Sequence, residues 1–206
     1  MSEPVALGLR VHSGWTAAVA VAGTPIKPIV LHRHRIETVD GQLAGARQPY
    51  HAAKALSCEA AAETLIRQCR ENSTMLAIQG MDALLNHVRE NGLTVVATAI
   101  LIGSGRPLPP LPGILRSHAL IHTAEGEFFR EVLIAASEHC SLDVTKVNER
   151  SIWDTAAGVF GRPVAELQRR LGQLGNMVGP PWRQDEKLAS LAAWIALSGL
   201  KRAPIK

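Results

Sequence analysis

The chain has 206 residues, 47% of them hydrophobic, and a mean hydropathy of +0.08, values that predict a single globular domain over residues 1–206. Its apolar runs are too short to span a bilayer and its start lacks a signal-peptide pattern, so we expect a cytoplasmic protein without membrane contact. Three cysteines without metal-type spacing argue against disulfides and cysteine-based zinc sites. The net charge is +4; residues 150–206, which end in a short basic tail at 201–206, carry nine Lys/Arg against four Asp/Glu. Such a basic end is typical of a nucleic-acid contact or of a solvated helix face.

The opening segment predicts a β-hairpin. Apolar side chains alternate over residues 5–11, so that Arg10 and His12 share the other face of the strand. A turn at 13–14 and a second apolar run over 17–21 complete the hairpin. The second face of the first strand is therefore predicted to begin with small residues and to end with basic ones.

The remaining pattern alternates strands and helices. Residues 29–36 predict an edge strand, with His32 and His34 toward solvent. Residues 93–102 are almost wholly apolar, which is typical of a buried parallel strand, and four prolines indicate a stiff loop over 103–113. The other predicted elements are helices near 53–70, 75–90, 118–140, 163–174 and 185–197, and a strand at 142–147. This order predicts an α/β fold whose mixed sheet has antiparallel hairpin strands first, parallel strands after them, and helices on its faces.

Two parts of the chain carry a family resemblance in their element order and loop lengths. They are the hairpin from Leu7-Gly8-Leu9 to Val19-Ala20-Val21 and the segments 126–136, 142–151, 159–171 and 180–196. These parts resemble the Holliday-junction resolvase branch of the ribonuclease H-like superfamily. The resemblance implies a ribonuclease H-like fold, a structured nucleic acid as partner, and a homodimer.

The positions at which that family binds catalytic metal ions differ here. The resemblance implies clustered carboxylates on the first strand, on the strand at 93–102, and at the start of the last helix, where they would bind two divalent cations. The first position is Arg10, and Ala97-Thr98-Ala99 stand where the second acid is expected, so only Asp185 and Glu186 remain. We therefore expect no standard two-metal nuclease site, and Mg²⁺ or Mn²⁺ only if a non-standard carboxylate site exists. The structural alternative is an ion pair of Arg10 with Asp185 or Glu186.

A second set of polar residues is compatible with a different site. His118 and His122 are four residues apart and would share one helical face, as metal ligands require, although a capped helix start has the same pattern. Arg116 and Glu125 are ligand-binding candidates beside them, and His51 precedes a predicted helix as a cap or a ligand contact. No metal ligand is assigned, and the catalytic candidates are Arg10, His12, His51, Asp185 and Glu186.

Three functions are compatible with these observations. The leading hypothesis is a ribonuclease H-like protein without standard nuclease activity that binds structured nucleic acid or has a regulatory role. The alternative is an enzyme in which Arg10, the histidines and Glu125 converge on a phosphorylated or other anionic small substrate, or on a transition metal. The third is a structural subunit that docks to a partner through the proline-rich loop.

Overall fold

A five-stranded mixed sheet lies at the centre of the structure, a computed structural model that describes residues 3–103 and 105–200. The strands are β1 (Pro4–His12), β2 (Trp15–Gly23), β3 (Pro28–Glu37), β4 (Thr94–Ile102) and β5 (Asp143–Asn148). Their order across the sheet is β3-β2-β1-β4-β5. The predicted basic tail at 201–206 falls outside the described residues.

Helices cover the sheet. In the described part of the chain they are α1 (Pro49–Lys54), α2 (Glu59–Glu90), α3 (Leu111–Leu115), α4 (His118–His139), α5 (Ile152–Phe160), α6 (Val164–Leu174) and α7 (Gln184–Leu200). None of these described helices combines the length and the apolar character that a membrane crossing requires.

The pairing of β1 joins the two halves of the sheet. It runs antiparallel to β2 across a turn in which Gly14 has φ +90°, and it runs parallel to β4, which is in turn parallel to β5. β3 pairs antiparallel with β2 and lies at one edge, as its sequence predicts. The predicted α/β fold, with antiparallel hairpin strands followed by parallel strands, is confirmed.

Alternation along β1 divides the hydrophobic core into two. Val5, Leu7 and Leu9 belong to a cluster with buried residues of α2 and α4, including Phe128. Ala6 belongs to a second cluster with residues of α5, α6 and α7 on the other face of the sheet. Arg10 has the same parity as Ala6, so its side chain lies on the α7 face.

Gly8 allows α7 to approach β1 closely. A Cβ atom at this position would overlap the main-chain carbonyl of Ala189 in α7. Asp185 lies one turn before Ala189, and Arg10 lies two residues after Gly8 on the same face. The missing side chain therefore determines how near the start of α7 comes to the end of β1.

The helix before β4 is longer than predicted. The two helices expected near 53–70 and 75–90 are one continuous helix, α2, because buried positions continue through the expected break at a spacing of three or four residues. Ser73 is fully buried in the middle of this stripe. A separate short helix, α1, precedes it, with Pro49 at its first turn, where proline is favoured.

Three further expectations need correction. Helix α5 lies in a segment without a predicted element, and it buries Ile152 and Ala156, which are four residues apart. Helix α3 begins inside the predicted proline-rich loop at 103–113, again with proline in its first turn. His32 is half-buried, because its ring packs against His87 of α2 at a centroid distance of 4.3 Å, whereas His34 is exposed as expected.

Replacing Gly8 with alanine is expected to destabilise the fold by about 1–3 kcal/mol or more, since the new methyl group must displace α7 from the sheet. Urea denaturation measures the change. Gly158→Ala in α5 is the matched control: its Cβ meets open space, so this helical substitution should stabilise by roughly 0.5–1 kcal/mol. Equal stability of the Gly8→Ala variant and the natural chain would contradict the proposed close contact.

The packing of His32 predicts an acid-sensitive fold. Burial, together with the nearby charges of His87, His34 and Arg33, lowers the pKa of His32 below its ordinary value of 6.5. The unfolded chain then binds more protons than the folded one, so the free energy of unfolding should fall as pH decreases below 6.5. Denaturation curves across this range should show a shallower decline for His32→Gln, whereas the exposed His139→Gln control should follow the natural chain. The same decline in both variants would refute this assignment.

Candidate functional site

Arg10 lies near the carboxyl end of β1 and binds two carboxylates. Its guanidinium donates to Asp185, in the first turn of α7, and to Glu149, with an Nη2–Oε1 distance of 2.7 Å. The three side chains are only 20–35% exposed, so solvent screens these ion pairs less than pairs on an open surface. The ion pair expected as the structural alternative is therefore present, with Asp185 as the partner and not Glu186.

Glu149 is the member of this group that the sequence reading missed. It directly follows β5, which runs parallel to β4 and β1 in the same sheet. The carboxyl ends of parallel strands meet at one edge of a sheet, where α/β proteins place their ligands. The signal that could have identified it was an acidic residue two positions after the strand predicted at 142–147.

His12 completes the cluster on Asp185. Its Nε2 lies 2.9 Å from Oδ1 of Asp185, the same oxygen that accepts from Arg10. Burial disfavours a charged Arg10, but the hydrogen bond to Glu149 and the charges of Glu149 and Asp185 raise the pKa of Arg10 above its ordinary value. The guanidinium is consequently a permanent positive charge between two acids.

Glu186 has a different role in the structure. Its Oε2 accepts a hydrogen bond from the backbone N–H of Arg183 at 2.8 Å. Arg183 immediately precedes α7, and Glu186 is the third residue of the helix, so this contact is one half of a capping box. Of the two carboxylates at the start of α7, only Asp185 contacts Arg10.

The cluster does not fit a pair of Mg²⁺ or Mn²⁺ ions. Asp185 and Glu149, whose oxygens would have to bind a cation, are already bound by Arg10. The register places Ala99 beside Gly8 and the following residue beside Leu9, so the buried Leu101 lies level with Arg10. The position on β4 level with Arg10 is therefore Leu101 and not, as the resemblance implies, Ala97-Thr98-Ala99, and β4 presents an apolar side chain where a second acid would be needed.

Trp15 of β2 continues this cluster sideways toward β3, the edge strand. Its ring stacks on His12, which is its direct cross-strand partner, with centroids 4.3 Å apart. The guanidinium of Arg35 on β3 lies over the same ring at 3.9 Å, and Arg35 also bonds to Glu37. Because β2 lies between β1 and β3, the indole is held between a histidine and an arginine.

A groove of about 550 Å³, with several charged side chains in its lining, opens beside this indole. Arg33 lies in it with one guanidinium nitrogen donating to the carbonyl of Pro180, while its buried Nε has no hydrogen-bond partner among the described residues. The lining residues are Trp15, Ala17, Arg33, His34, Arg35, Pro181, Arg183, Asp185 and Glu186. The groove thus combines three arginines and an indole with the carboxylates of the Arg10 cluster and the α7 cap.

Glu125 organises a second group of predicted residues. Its Oε1 accepts hydrogen bonds from the backbone N–H groups of Tyr50 and His51, at 2.9 and 3.1 Å, and lies 3.2 Å from Nδ1 of His51. The side chain is only 5% exposed, and burial raises the pKa of Glu125 above its ordinary value despite these hydrogen bonds. Glu125 thereby joins α4 to the first turn of α1.

Three imidazoles converge above this carboxylate. His118 and His122 lie on one face of α4 with their Nε2 atoms 3.0 Å apart, and the ring of His51 is 4.9 Å from that of His122. Ser117 caps the helix, as the structural alternative for this segment predicts. Arg116 is exposed at the end of α3.

The structure separates the candidate residues into two groups. Arg10, His12 and Asp185 belong to the face covered by α7, whereas α1 and α4, which carry the other histidines and Glu125, pack on the opposite face. The single convergent site considered as an alternative is therefore not formed. The two groups have to be considered as separate sites.

Comparison with known proteins supports the fold. No protein-family model and no curated protein sequence matches the chain. Two solved structures of RuvC from Thermus thermophilus are similar to it, each 12% identical in sequence. One of them is in complex with a Holliday junction substrate; it has a TM-score of 0.52, and the alignment covers 96% of this chain and 94% of that RuvC chain. The other has a TM-score of 0.50, and the alignment covers 96% of this chain and 95% of that RuvC chain. The chain therefore has the ribonuclease H-like fold predicted from its hairpin and its carboxyl-terminal third.

Proposed function

We propose that this protein binds structured nucleic acid and does not cleave it by the two-metal mechanism. The observation that carries the absence of two-metal cleavage is Arg10, whose guanidinium lies between Asp185 and Glu149 at the carboxyl end of β1. This is the position at which the family resemblance implies a metal-binding carboxylate. Asp185 and Glu149 are both paired with this one internal cation.

Arg10 weakens the attraction of this cluster for a divalent ion. At about 4 Å and an effective dielectric near 20, two like unit charges repel by about 4 kcal/mol, so Arg10 repels a divalent cation by about 8 kcal/mol and offsets the attraction of one of the two carboxylates. Displacing the guanidinium would also leave its charge partly buried without its two partners. Both costs favour the ion-paired arrangement over a metal-loaded one.

The groove beside Trp15 supports a nucleic-acid partner. Arg35 and Arg183 are exposed at its rim, and phosphate oxygens are the ligands that arginine forks match best. The indole is a surface of the kind on which bases stack, although in this arrangement His12 and Arg35 cover it. The likeness to a RuvC bound to a Holliday junction is an analogy of fold, which adds weight to this class of partner.

The proposal keeps the homodimer and the cytoplasmic location expected from the sequence. A regulatory role and a docking role through the proline-rich loop are the competing interpretations. The salt dependence of DNA binding distinguishes them from the proposal, because contacts with phosphates make the affinity for DNA fall steeply as the salt concentration rises.

The first test is cleavage. With Mg²⁺ or Mn²⁺, the purified chain is expected to leave four-way DNA junctions and duplexes of the same sequence intact on a denaturing gel, while a known resolvase cuts the junction. Metal-dependent cleavage that disappears in Asp185→Ala, but persists in the exposed Asp154→Ala control, would overturn the proposal. The reason is that such activity needs Asp185 as a metal ligand and not as a partner of Arg10.

The second test is binding to the same DNAs, measured by fluorescence anisotropy at several salt concentrations. Arg35→Ala and Arg183→Ala are each expected to weaken binding and to reduce the slope of log K against log salt by about one, the loss of one phosphate contact. Arg67→Ala, which removes the same charge from an exposed position on α2, is the control. Absence of salt-dependent binding would overturn the proposal, and equal effects of all three substitutions would exclude the groove as the contact surface.

A further inference from the structure

Three histidines from two helices place ligand atoms close together. His51, His118 and His122 each offer one ring nitrogen, and these nitrogens all lie within 4.8 Å of one another. His118 and His122 are one turn apart on α4, whereas His51 reaches the same point from α1. This convergence is independent of the Arg10 cluster, which lies on the other face of the sheet.

The spacing suits tetrahedral coordination. A zinc ion binds imidazole nitrogens at about 2.0–2.1 Å, which places two ligand atoms of a tetrahedron about 3.3 Å apart. The Nε2 atoms of His118 and His122 are 3.0 Å apart. Small rotations of the two exposed rings, those of His118 and His122, would bring the three nitrogens to metal-binding distances, because none of the three lies more than 4.8 Å from another.

Glu125 supplies the outer partner that metal-binding histidines usually have. Its Oε1 lies 3.2 Å from Nδ1 of His51, which leaves Nε2 of the same ring for a metal. A carboxylate in this position fixes the ring and makes it a better ligand. Glu125 is itself buried and is held by two backbone N–H groups, while its buried Oε2 has no partner among the described residues.

We propose that His51, His118 and His122 bind one transition-metal ion of the zinc type, with Glu125 orienting His51. Imidazole nitrogens suit Zn²⁺, Cu²⁺, Ni²⁺ and Fe²⁺, whereas Mg²⁺ and Ca²⁺ require oxygen ligands. His118 and His122 are exposed, so the fourth coordination position faces solvent and is open to water. The ion would also fasten α1 to α4 at the point where Glu125 already joins them.

The experiment uses the full chain without a histidine tag. Co²⁺ is added as a probe and followed by visible absorption, where a tetrahedral site gives intense bands, and Zn²⁺ is then added to displace it. We expect one equivalent of Co²⁺ per chain and its complete displacement by Zn²⁺. Absence of saturable binding at one equivalent would overturn the proposal.

Substitutions of single residues test which side chains bind the metal ion. Glu125→Gln removes a carboxylate that does not itself bind the metal and should reduce metal affinity by roughly 10- to 100-fold. His118→Ala and His122→Ala each remove an exposed ligand and should reduce it by more than that. The control, His139→Ala, removes an exposed histidine at the end of the same helix and should bind as the natural chain does. Unchanged binding in His118→Ala and His122→Ala, or an equal loss in His139→Ala, would refute the site. Circular dichroism verifies that each variant is folded.

Discussion

The close approach of α7 to β1 is the constraint on which the rest of the arrangement depends. Gly8 has no side chain, so the backbone of α7 near Ala189 lies directly against the strand. That contact brings Asp185 into reach of Arg10, and the parallel pairing of β4 and β5 brings Glu149 to the other side of the same guanidinium. The geometry of the ion-pair cluster thus follows from a backbone contact in the core.

The same geometry explains how this fold can lack the two-metal chemistry that the family resemblance implies. A sheet edge that gathers side chains from β1, from the end of β5 and from α7 is suited to clustered carboxylates and divalent cations. Here Arg10 supplies the positive charge from within the chain, and Leu101 makes the adjoining strand apolar at that level. At this end of the sheet the described acidic side chains pair with a cation of the same chain.

Much of this could be predicted from local sequence. Period-2 alternation identified β1 and the parity of Arg10, and the apolar run before the prolines identified β4. Contacts between distant segments escaped that reading. Glu149 is 139 residues from Arg10. Helix α2 continues through the break predicted between residues 70 and 75, where Ser73 is buried in tertiary packing. The convergence of His51 with His118 and His122 likewise depends on how α1 docks, which spacing along one helix does not reveal.

A continuous row of contacting side chains runs through Trp15, and it limits which substitutions the chain can accept at one position without a change at another. Glu37, Arg35, Trp15 and His12 lie in successive contact, and the row continues through Asp185 and Arg10 to Glu149. Each member balances the charge or covers the ring of the next. A change of sign at position 10 would leave two acids facing a third, so the residues at 10, 149 and 185 are expected to covary among related chains.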